Sequence, residues 1–350
     1  MTQPFLSVIV PTYNRLSMLK QLLTCLDQQT YPTEHYEIII VNDGSTDGTA
    51  DYLTDFGISF RKRALRQSNR GPGGARNTGA RAAQGEILVF IDDDCLPERG
   101  WLASLAESYT RPAAAQVDAV GGRIENTSQG HWLHEFQIFR SIHHVANKQE
   151  HPHYLDTANA SYRRHVFLAV GGFNESLPWA EDVELGFRLL DAGYRLVTNS
   201  QAVVWHVGTT SLTAFFRRSY QIGRGTAMIM IMYPARFAGL PSRGLRLFIK
   251  RSLDRLVSQA SRVPKPTHTL VCVMACGLRR LMYDMVGEEI FFRSYLPGQF
   301  QLYRSVRLGW SKIGFYLLLE WFWHLAHLWG QFTQTLRYTY RQAMFGQTVI

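Results

Sequence analysis

The sequence predicts an α/β fold on a mainly parallel central sheet, followed by a mostly helical region. Three short apolar runs with the composition of β-strands lie at residues 6–10, 37–41 and 86–91. Helix-length segments separate these runs, an alternation that is typical of βαβ units. Each run is followed by a cluster of Asp, Asn, Gly or Thr. Because the carboxyl ends of parallel strands share one edge of a sheet, we expect these clusters to line one ligand-binding crevice.

The first predicted strand is followed by Pro11, Thr12, Tyr13, Asn14 and Arg15, which lead into a helix. Tyr13 offers an aromatic face that can stack on a base, and Arg15 offers a cation that can attract phosphate. We therefore expect this segment to border a bound nucleotide. The alternative for Tyr13 is packing, which is the more common role of a single Tyr after a strand.

The second predicted strand is followed by an acidic turn that contains Asp43, Asp47 and Thr49. Asp43 comes directly after the strand, so its carboxylate is placed to accept hydrogen bonds from a nucleobase edge. Asp47 and Thr49 have the residue types and positions of turn and helix-capping residues. We expect Asp43 to bind the nucleotide, with a purely structural role as the alternative.

A glycine-rich segment at residues 69–79 precedes a predicted helix. Glycine allows a ligand to approach the backbone closely, and a helix N-terminus together with Arg76 attracts anions. We expect Gly73 and Arg76 to lie beside the diphosphate or ribose. The segment is not a dinucleotide-binding fingerprint, because Arg76 stands where a third glycine is required, and it lacks the Walker lysine.

The third predicted strand leads into three consecutive carboxylates, Asp92, Asp93 and Asp94. Neighbouring carboxylates repel one another unless a counter-charge is present, and a hard cation such as Mg²⁺ or Mn²⁺ supplies it. Such an ion keeps open positions for substrate phosphates, which points to a nucleoside diphosphate. The alternative is that these residues cap a helix or form a solvated turn.

Residues 125–160 lack a clear period and contain six histidines, at positions 131, 134, 143, 144, 151 and 153. We expect an irregular lobe beside the crevice. The spacing matches no tight pair of zinc ligands, which weighs against a zinc site. A helix at residues 181–192 and a strand at residues 196–205 are predicted next, so the first domain should end near residue 210.

The predicted helix at residues 181–192 opens with Glu181 and Asp182. The helix dipole favours acidic residues in a first turn, which is the structural explanation for this pair. A carboxylate beside a bound cation is also a suitable general base for a hydroxyl group. We expect Asp182 to be that base and Glu181 to orient it or to contact the acceptor. His206 follows the next strand and is a candidate metal ligand, although a single histidine is more often structural.

Charge divides the chain into an acidic front part and a basic rear part. Residues 211–350 hold 19 Lys and Arg against 5 Asp and Glu, a net charge of +14, whereas residues 1–210 hold 18 against 23. A basic region attracts the phosphate groups of anionic lipid, nucleic acid or a phosphorylated substrate. The four scattered cysteines and the lack of a secretory signal predict a cytoplasmic location.

The apolar run at residues 313–332 has the length of roughly 20 residues that a membrane-spanning helix requires. Its polar residues Glu320, His324, His327 and Gln331 are spaced so that all four lie on one helical face. With its tryptophans, this pattern favours a helix that lies in the membrane interface. A single spanning helix and plain packing against the first domain are the alternatives.

Taken together, the motifs resemble those of the inverting family 2 glycosyltransferases of the GT-A fold. The likeness covers about residues 5–210 and rests on the order of PTYNR, VNDGSTDGT, GPGGARNTGA, FIDDD, VGGFNES and WAEDVELGFRL. It implies a GT-A catalytic domain at residues 1–210, with a nucleotide-sugar half to about residue 115 and an acceptor half at residues 116–210. Residues 211–350 lie outside the resemblance, and their charge and amphipathicity predict a basic, aromatic-rich helical region that associates with a membrane. Processive relatives carry a Q-x-x-R-W motif, whereas Gly225 follows Arg224 here, so we expect a non-processive enzyme.

The resemblance also implies a role for each acidic residue. Asp43 would contact the nucleobase, Asp92 would lie near the ribose, and Asp182 would be the base of a direct, inverting displacement. The predicted ligands of Mn²⁺ or Mg²⁺ are Asp94, Asp92 and His206. His206 is included because some relatives carry a metal-binding histidine at the corresponding place. Together with the motif analysis, this gives the expected donor-binding residues Pro11, Tyr13, Arg15, Asp43, Gly73, Arg76, Asp92 and Asp93.

The expected reaction moves a sugar from a nucleoside diphosphate sugar to a saccharide or lipid-linked acceptor, in the synthesis of cell-envelope glycan, polysaccharide or glycolipid. A metal-dependent nucleotidyltransferase is the first alternative, but the sequence lacks an obvious triphosphate-binding lysine motif. A catalytically inactive membrane scaffold or a nucleic-acid binder is the second. The acidic residues present at all the motif positions favour an active enzyme. We expect it on the cytoplasmic face of a membrane, without a nucleic-acid partner.

Overall fold

The computed structural model describes residues 3–55, 61–110, 117–127, 130–137, 152–237, 319, 322–323 and 325–338. The chain divides into two compact units, Met1–Thr210 and Ser211–Ile350. In the described part of the first unit an eight-stranded sheet is flanked by helices, and the described part of the second unit is mainly helical.

The strands are β1 (Leu6–Thr12), β2 (Tyr36–Asn42), β3 (Arg61–Arg66), β4 (Ile87–Phe90), β5 (Cys95–Pro97), β6 (Ala119–Thr127), β7 (Ala160–Arg163) and β8 (Leu196–Val207). Their order across the sheet is β3-β2-β1-β4-β7-β6-β8-β5. The first four of these are parallel, and β7 is antiparallel to β4 and β6. β6 and β8 are parallel, and β5 is antiparallel to β8. Parallel pairing predominates, which confirms the predicted fold class.

The helices are α1 (Leu16–Asp27), α2 (Thr49–Asp55), α3 (Gly71–Ala82), α4 (Trp101–Thr110), α5 (residues 132–137), α6 (Arg164–Ala169), α7 (Glu181–Asp191), α8 (Leu212–Met232) and α9 (residues 325–338). β1 and β2 are buried along their whole length, as expected for central parallel strands covered on both faces. Val8 faces a core that includes residues of α1 and α4, whereas Ile9 faces a second core that includes residues of α3 and α7.

Gly79 allows α3 to approach β1 closely. A Cβ atom at this position would lie 2.4 Å from Cγ2 of Ile9 and 3.3 Å from Cγ2 of Val41. A larger residue would push the helix away from the sheet. The glycine therefore helps to place the start of α3 beside the carboxyl ends of β1 and β2.

The three strands predicted in the first hundred residues correspond to β1, β2 and β4, and the predicted helix at residues 181–192 corresponds to α7. The irregular lobe predicted at residues 125–160 is wrong in part. Residues 125–127 continue β6, because pairing with β8 extends the strand beyond its own apolar pattern. Residues 132–137 form α5. His143, His144 and His151 lie outside the described residues.

Helices α8 and α9 pack closely within the second unit. A Cβ atom on Gly223 would lie 1.9 Å from the carbonyl oxygen of His327, and one on Gly330 would lie 2.0 Å from that of Tyr220. Of the predicted interfacial helix at residues 313–332, the described positions are helical and the others lie outside the described residues. Across the part of the chain that the structure describes, no helix has the length and apolarity needed to cross a membrane.

Candidate active site

The segments that follow β1 and β4 are joined by hydrogen bonds and ion pairs. Thr12 Oγ1 donates a hydrogen bond to Asp93 Oδ2 at 2.8 Å. Arg15 Nη1 lies 3.1 Å from Asp93 Oδ1 and 2.6 Å from Asp94 Oδ2. Residues from the first and third predicted strand ends therefore meet at one edge of the sheet.

Arg15 is a counter-charge for this acidic loop. Burial opposes the charge of Arg15, but Asp94 and Asp93 outweigh this effect, and the pKa of Arg15 is raised. Burial raises the pKa of Asp93 to about 7, although Arg15 opposes the rise. Asp93 therefore titrates near neutral pH, and the loop does not carry its full formal charge there.

Asp94 and His206 are two predicted metal ligands that the structure brings together. His206 stands opposite Cys95 where β8 pairs with β5, and its Nε2 lies 3.7 Å from Asp94 Oδ2. His206 Nδ1 lies 3.1 Å from Asn126 Oδ1. An amide oxygen can only accept, so this contact places the ring proton on Nδ1 and leaves Nε2 as the nitrogen that faces Asp94. Metal-binding histidines are commonly held in this way through their other ring nitrogen.

The third predicted ligand, Asp92, is directed towards another partner. Its Oδ1 accepts a hydrogen bond from Arg76 Nη2 at 2.6 Å. Among the residues that the structure describes, no three His, Cys, Asp or Glu side chains are grouped so that they could hold a metal ion. Asp94 and His206 fit an ion that takes its remaining ligands from substrate phosphate and water, as Mg²⁺ does.

Arg76 is the buried centre of an ion-pair network between α3, the loop after β4, and α7. Its side chain is 4% exposed, with Nη1 2.5 Å from Glu181 Oε1 and Nη2 2.6 Å from Asp92 Oδ1. Burial opposes its charge, but Asp92 and Glu181 raise its pKa. Because both terminal nitrogens contact carboxylates, Arg76 joins α7 to the acidic loop here, and its role in phosphate binding stays a prediction.

Asp182 lies in the first turn of α7, beside Glu181. Its Oδ1 accepts a hydrogen bond from the backbone N–H of Val183 at 2.8 Å. Burial and the negative charges of Glu181 and Asp156 raise the pKa of Asp182 well above its usual value, against the opposing effects of Val183 N–H and Arg76. A carboxylate with a raised pKa is a stronger base, which suits the predicted role.

The residue before α7 has an unusual backbone conformation. Ala180 has a φ of +65° and precedes Glu181 directly. A residue with a Cβ atom loses about 1–2 kcal/mol in this left-handed region. The turn at Ala180 sets the direction in which the helix that carries Asp182 begins.

Asp43 is buried and holds the start of α3. Its Oδ1 accepts hydrogen bonds from Gln67 Nε2 at 2.7 Å and from the backbone N–H of Arg70 at 2.9 Å. Its Oδ2 accepts one from the backbone N–H of Gly71 at 2.9 Å. A carboxylate oxygen has two acceptor positions, so Oδ2 can also accept from a ligand. The nucleobase contact of Asp43 stays a prediction.

Of the two residues predicted to have turn and capping roles, Asp47 is confirmed as a cap, whereas Thr49 is the residue that it caps. Asp47 Oδ2 accepts a hydrogen bond from the backbone N–H of Leu16 at 2.9 Å, at the start of α1. Asp47 Oδ1 accepts from the backbone N–H of Thr49 at 3.2 Å and from its hydroxyl at 2.5 Å, at the start of α2. One carboxylate thus serves two helix N-termini.

The remaining predicted donor-binding residues have different environments. Pro11 is buried at the end of β1, whereas the Tyr13 side chain is 48% exposed. A Cβ atom on Gly73 would lie 3.5 Å from Glu181 Cγ and 3.6 Å from Phe173 Cβ, which is ordinary contact distance. The Tyr13 ring is therefore exposed for stacking, while Gly73 packs against the start of α7.

Several side chains that shape the site were not identified from the sequence. Thr12 holds Asp93, Asn126 holds His206, and Asp156 raises the pKa of Asp182. Thr12 belongs to the first motif, so the neighbouring candidates were a signal for it. Asn126 and Asp156 lie in the stretch interpreted as irregular, where the sequence offers no signal.

Asn77 fixes the loop before α7. Its Nδ2 donates hydrogen bonds to the carbonyl oxygen of Phe173 at 2.8 Å and to Glu175 Oε1 at 2.9 Å, and its Oδ1 accepts from the backbone N–H of Phe173 at 2.9 Å. Arg70 also pairs with Glu175. These contacts attach the VGGFNES motif to α3.

Comparisons with known sequences identify a family and several relatives that this chain resembles. Residues 7–171 match the family described as Glycosyl transferase family 2. The chain is similar to glycosyltransferase AglE of Haloferax volcanii, with 28% identity over 66% of this chain and 76% of that protein. It is 29% identical to the pre-mycofactocin glycosyltransferase of Mycobacterium tuberculosis over 72% of this chain, but it spans only 54% of that protein. It is 26% identical to the O-antigen chain rhamnosyltransferase RfbN of Salmonella typhimurium over 73% of this chain and 82% of that protein.

A solved structure shares the architecture. The mannosyltransferase PcManGT from Pyrobaculum calidifontis, in complex with GDP-Man and Mn²⁺, superposes with a TM-score of 0.54. The two chains are 20% identical, and the superposition covers 91% of this chain and 86% of the other. At this identity the likeness shows a common fold.

Proposed function

We propose that this chain, a glycosyltransferase of the GT-A fold whose residues 7–171 match glycosyl transferase family 2, transfers sugar from a nucleoside diphosphate sugar with inversion. The observation that carries this proposal is the network around Arg76. This buried cation contacts Asp92, at the edge of the sheet where nucleotides bind in such folds, and Glu181, next to Asp182. One side chain thus connects the donor side of the site with the candidate base.

Asp182 acts as the general base in this reaction. As the acceptor oxygen bonds to the anomeric carbon, its proton passes to a carboxylate oxygen of Asp182. The bond between the anomeric carbon and the diphosphate oxygen breaks, and the nucleoside diphosphate leaves. A single displacement of this kind inverts the anomeric configuration. The raised pKa of Asp182 supports its role, because a stronger base takes the proton more readily.

Asp94 and His206 are the residues that would hold Mn²⁺ or Mg²⁺. The distance of 3.7 Å between Asp94 Oδ2 and His206 Nε2 supports this assignment. A bound divalent ion stabilises negative charge on the departing diphosphate. Arg15 brings a further positive charge to the same edge. The complex of PcManGT with GDP-Man and Mn²⁺ supports the same donor class and ion.

The proposed reaction is tested with a panel of nucleoside diphosphate sugars, a neutral saccharide acceptor and either Mn²⁺ or Mg²⁺. We expect release of nucleoside diphosphate and a product of inverted configuration, followed by NMR. Asp182→Asn should lower kcat by about 10²–10⁴-fold and still bind nucleoside diphosphate in calorimetry. Asp94→Asn should weaken metal-dependent binding as well. A product of retained configuration, or pyrophosphate release from a nucleoside triphosphate, would contradict the proposal.

The acceptor belongs to glycan synthesis in this proposal. RfbN is named as an O-antigen chain rhamnosyltransferase and AglE as a glycosyltransferase, and similarity to both supports a saccharide or lipid-linked acceptor. The departure from the processive motif at Gly225 supports the addition of one sugar per encounter.

We also propose that the second unit binds the cytoplasmic face of a membrane that contains anionic lipid. Phe322, Leu325 and Trp329 are exposed, and their spacing of three and four residues places them on one helical face. Residues 211–350 carry a net charge of +14. Exposed apolar and aromatic side chains together with basic residues are typical of helices that bind at a lipid surface.

Co-sedimentation of the full chain with vesicles of phosphatidylglycerol and phosphatidylcholine tests this membrane partner. We expect the wild type to pellet and the Leu325→Glu and Trp329→Glu double variant to stay in the supernatant. Leu168→Glu is the matched control, because Leu168 is also exposed but lies in the first unit. Equal pelleting of the double variant and the wild type would overturn the proposal.

A further inference from the structure

The chain at His153 and Tyr154 packs against the face of α7 that carries Asp182. Gly186 lies four residues after Asp182, so the two residues face the same side of the helix. A Cβ atom on Gly186 would lie 2.6 Å from the carbonyl oxygen of His153 and 2.6 Å from Cβ of Tyr154. Glycine is therefore required for this approach. It places Tyr154 about one helical turn from the candidate base.

Tyr154 and Asp156 are exposed, whereas Leu155 between them is buried. A Cβ atom on Gly121 would lie 2.9 Å from Cδ2 of Leu155, so this side chain points into the core. The two residues that flank it, Tyr154 and Asp156, therefore lie at the surface above this core position. Asp156 Oδ1 accepts a hydrogen bond from the backbone N–H of Ala158 at 3.1 Å, which fixes its direction.

Electrostatics agrees with this placement. Although the side chain is 44% exposed, partial desolvation, and then the negative charges of Asp182 and Asp156, raise the pKa of Tyr154 to about 12. Asp156 is in turn one of the groups that raise the pKa of Asp182. These charge interactions agree with the contact of Tyr154 with α7 at Gly186, one helical turn after Asp182.

We propose that Tyr154 and Asp156 form the acceptor subsite and that they bind the pyranose ring whose hydroxyl Asp182 deprotonates. This inference rests on the proposed function. An exposed aromatic ring offers a flat apolar face to the C–H face of a sugar ring. The Asp156 carboxylate accepts hydrogen bonds from other hydroxyls of the same ring.

The charge of the subsite favours a neutral acceptor. Asp156 and Asp182 are both acidic, and Glu181 beside them already contacts Arg76. A uronic acid ring would bring a further carboxylate into this group, and like charges at short range repel. The substrate class is therefore a neutral pyranoside, or a lipid-linked glycan that ends in a neutral sugar.

The test measures acceptor binding with and without turnover. Methyl glycosides of neutral hexoses are the probes, and the matching uronic acid glycosides are the charged comparison. Transfer rates at saturating donor give KM and kcat for the acceptor. Saturation-transfer NMR in the presence of nucleoside diphosphate and diamagnetic Mg²⁺ gives acceptor binding even if no transfer occurs.

We expect Tyr154→Ala to raise the KM for the acceptor about tenfold, with a smaller change in kcat. Tyr154→Phe should retain most of the acceptor affinity, because the aromatic ring remains. Leu168→Ala is the control for loss of an exposed apolar side chain elsewhere. Asp156→Asn should narrow the preference for neutral over uronic acid probes. It should also move the acid limb of the pH profile of kcat/KM to lower pH, because one charge that raises the pKa of Asp182 is gone.

In that profile Glu181 and Asp156 raise the pKa of Asp182, whereas Val183 N–H and Arg76 oppose the rise. Asp182 in turn raises the pKa of Tyr154 and of Tyr162. Suppose that Tyr154→Ala changes neither the KM for the acceptor nor the NMR signal, while Asp182→Asn still abolishes transfer. This result would overturn the subsite and leave the proposed function in place. Absence of acceptor binding in the wild type would also overturn the subsite. Binding that depends on Tyr154 without any transfer would uphold the subsite and contradict the proposed function.

Discussion

Asp182 lies in the first turn of α7, where burial, Glu181 and Asp156 raise its pKa. Because the pKa in the folded state exceeds that of the unfolded chain, the group favours folding only while it is protonated. This contribution is fully present below the unfolded pKa of about 4 and is lost as pH rises through the folded pKa. A base of this kind therefore lowers the stability of the enzyme at neutral pH.

We expect Asp182→Asn to unfold at a higher temperature than the wild type at pH 7, because the amide carries no charge to bury. The difference should shrink as the pH approaches 4. Circular dichroism melts over this pH range provide the measurement. Asp51→Asn, at an exposed position of α2, is the control and should show no such trend. A lower melting temperature for Asp182→Asn at pH 7 would count against a destabilising carboxylate at this half-buried position.

Glu181 offers a second test at the level of a single residue. Glu181→Gln removes a negative charge that raises the pKa of Asp182, and it leaves Arg76 with fewer carboxylates to balance. Both changes lower the pKa of Asp182. We expect the acid limb of the pH profile of kcat/KM to move to lower pH. A limb that stays in place or moves to higher pH would show that Glu181 does not act on the base.

At the scale of elements, Asp47 connects the starts of α1 and α2. We expect Asp47→Ala to lower the free energy of unfolding by about 1–2 kcal/mol, the usual cost of losing a helix cap. Asp47→Asn keeps an acceptor and should lose less. Urea unfolding measures both variants. Equal stability of Asp47→Ala and the wild type would show that other groups cap these helices.

The pH dependence of this cap has the opposite sign from that of Asp182. Burial acts to raise the pKa of Asp47, but the hydrogen bonds from Thr49 and Leu16 outweigh it and lower the pKa. The stabilisation is present above the unfolded pKa and is lost as pH falls through the folded pKa. The difference in free energy of unfolding between the wild type and Asp47→Ala should therefore become smaller at acidic pH.

The elements that the sequence predicts well are those with a strong period of their own. β1, β2, β4 and α7 have clear apolar patterns and were found within a few residues. β3 was not predicted from the sequence, because the residues RKRALR lack an apolar pattern. Charged residues of this kind are typical of an exposed edge strand, where they limit pairing with other chains. β6 extends through residues 125–127 because of its partner β8, and a partner cannot be read from local sequence.

For the whole molecule, the uneven distribution of charge leads to a prediction about salt. Electrostatic attraction between the basic second unit and anionic vesicles is screened over a Debye length of about 10 Å at 0.1 M salt. We expect binding to weaken at least about tenfold between 0.05 and 0.5 M NaCl. Vesicle binding that remains at high salt would be due to the apolar side chains of Phe322, Leu325 and Trp329. Binding to anionic vesicles that does not change with salt would contradict an electrostatic contribution.

The sequence predicts which side chains meet in the site better than it predicts their partners. Residues from the ends of β1, β2 and β4 lie at one edge, as expected, and Asp94 is near His206. The ion pair between Asp92 and Arg76 was not predicted, and the donor contacts expected of each stay predictions. Motif order fixes which residues converge, but the choice among several carboxylates for one cation depends on distances of an ångström. Only the folded arrangement determines such distances.

The left-handed backbone at Ala180 has a consequence for protein engineering. A glycine at this position would relieve the strain, so a screen for thermostability would tend to select Ala180→Gly. The same change would give the hinge before α7 more freedom, and the angle at which Asp182 enters the site would be less tightly defined. Engineering of this enzyme for higher thermal stability should therefore keep alanine at position 180 and introduce stabilising substitutions at other positions.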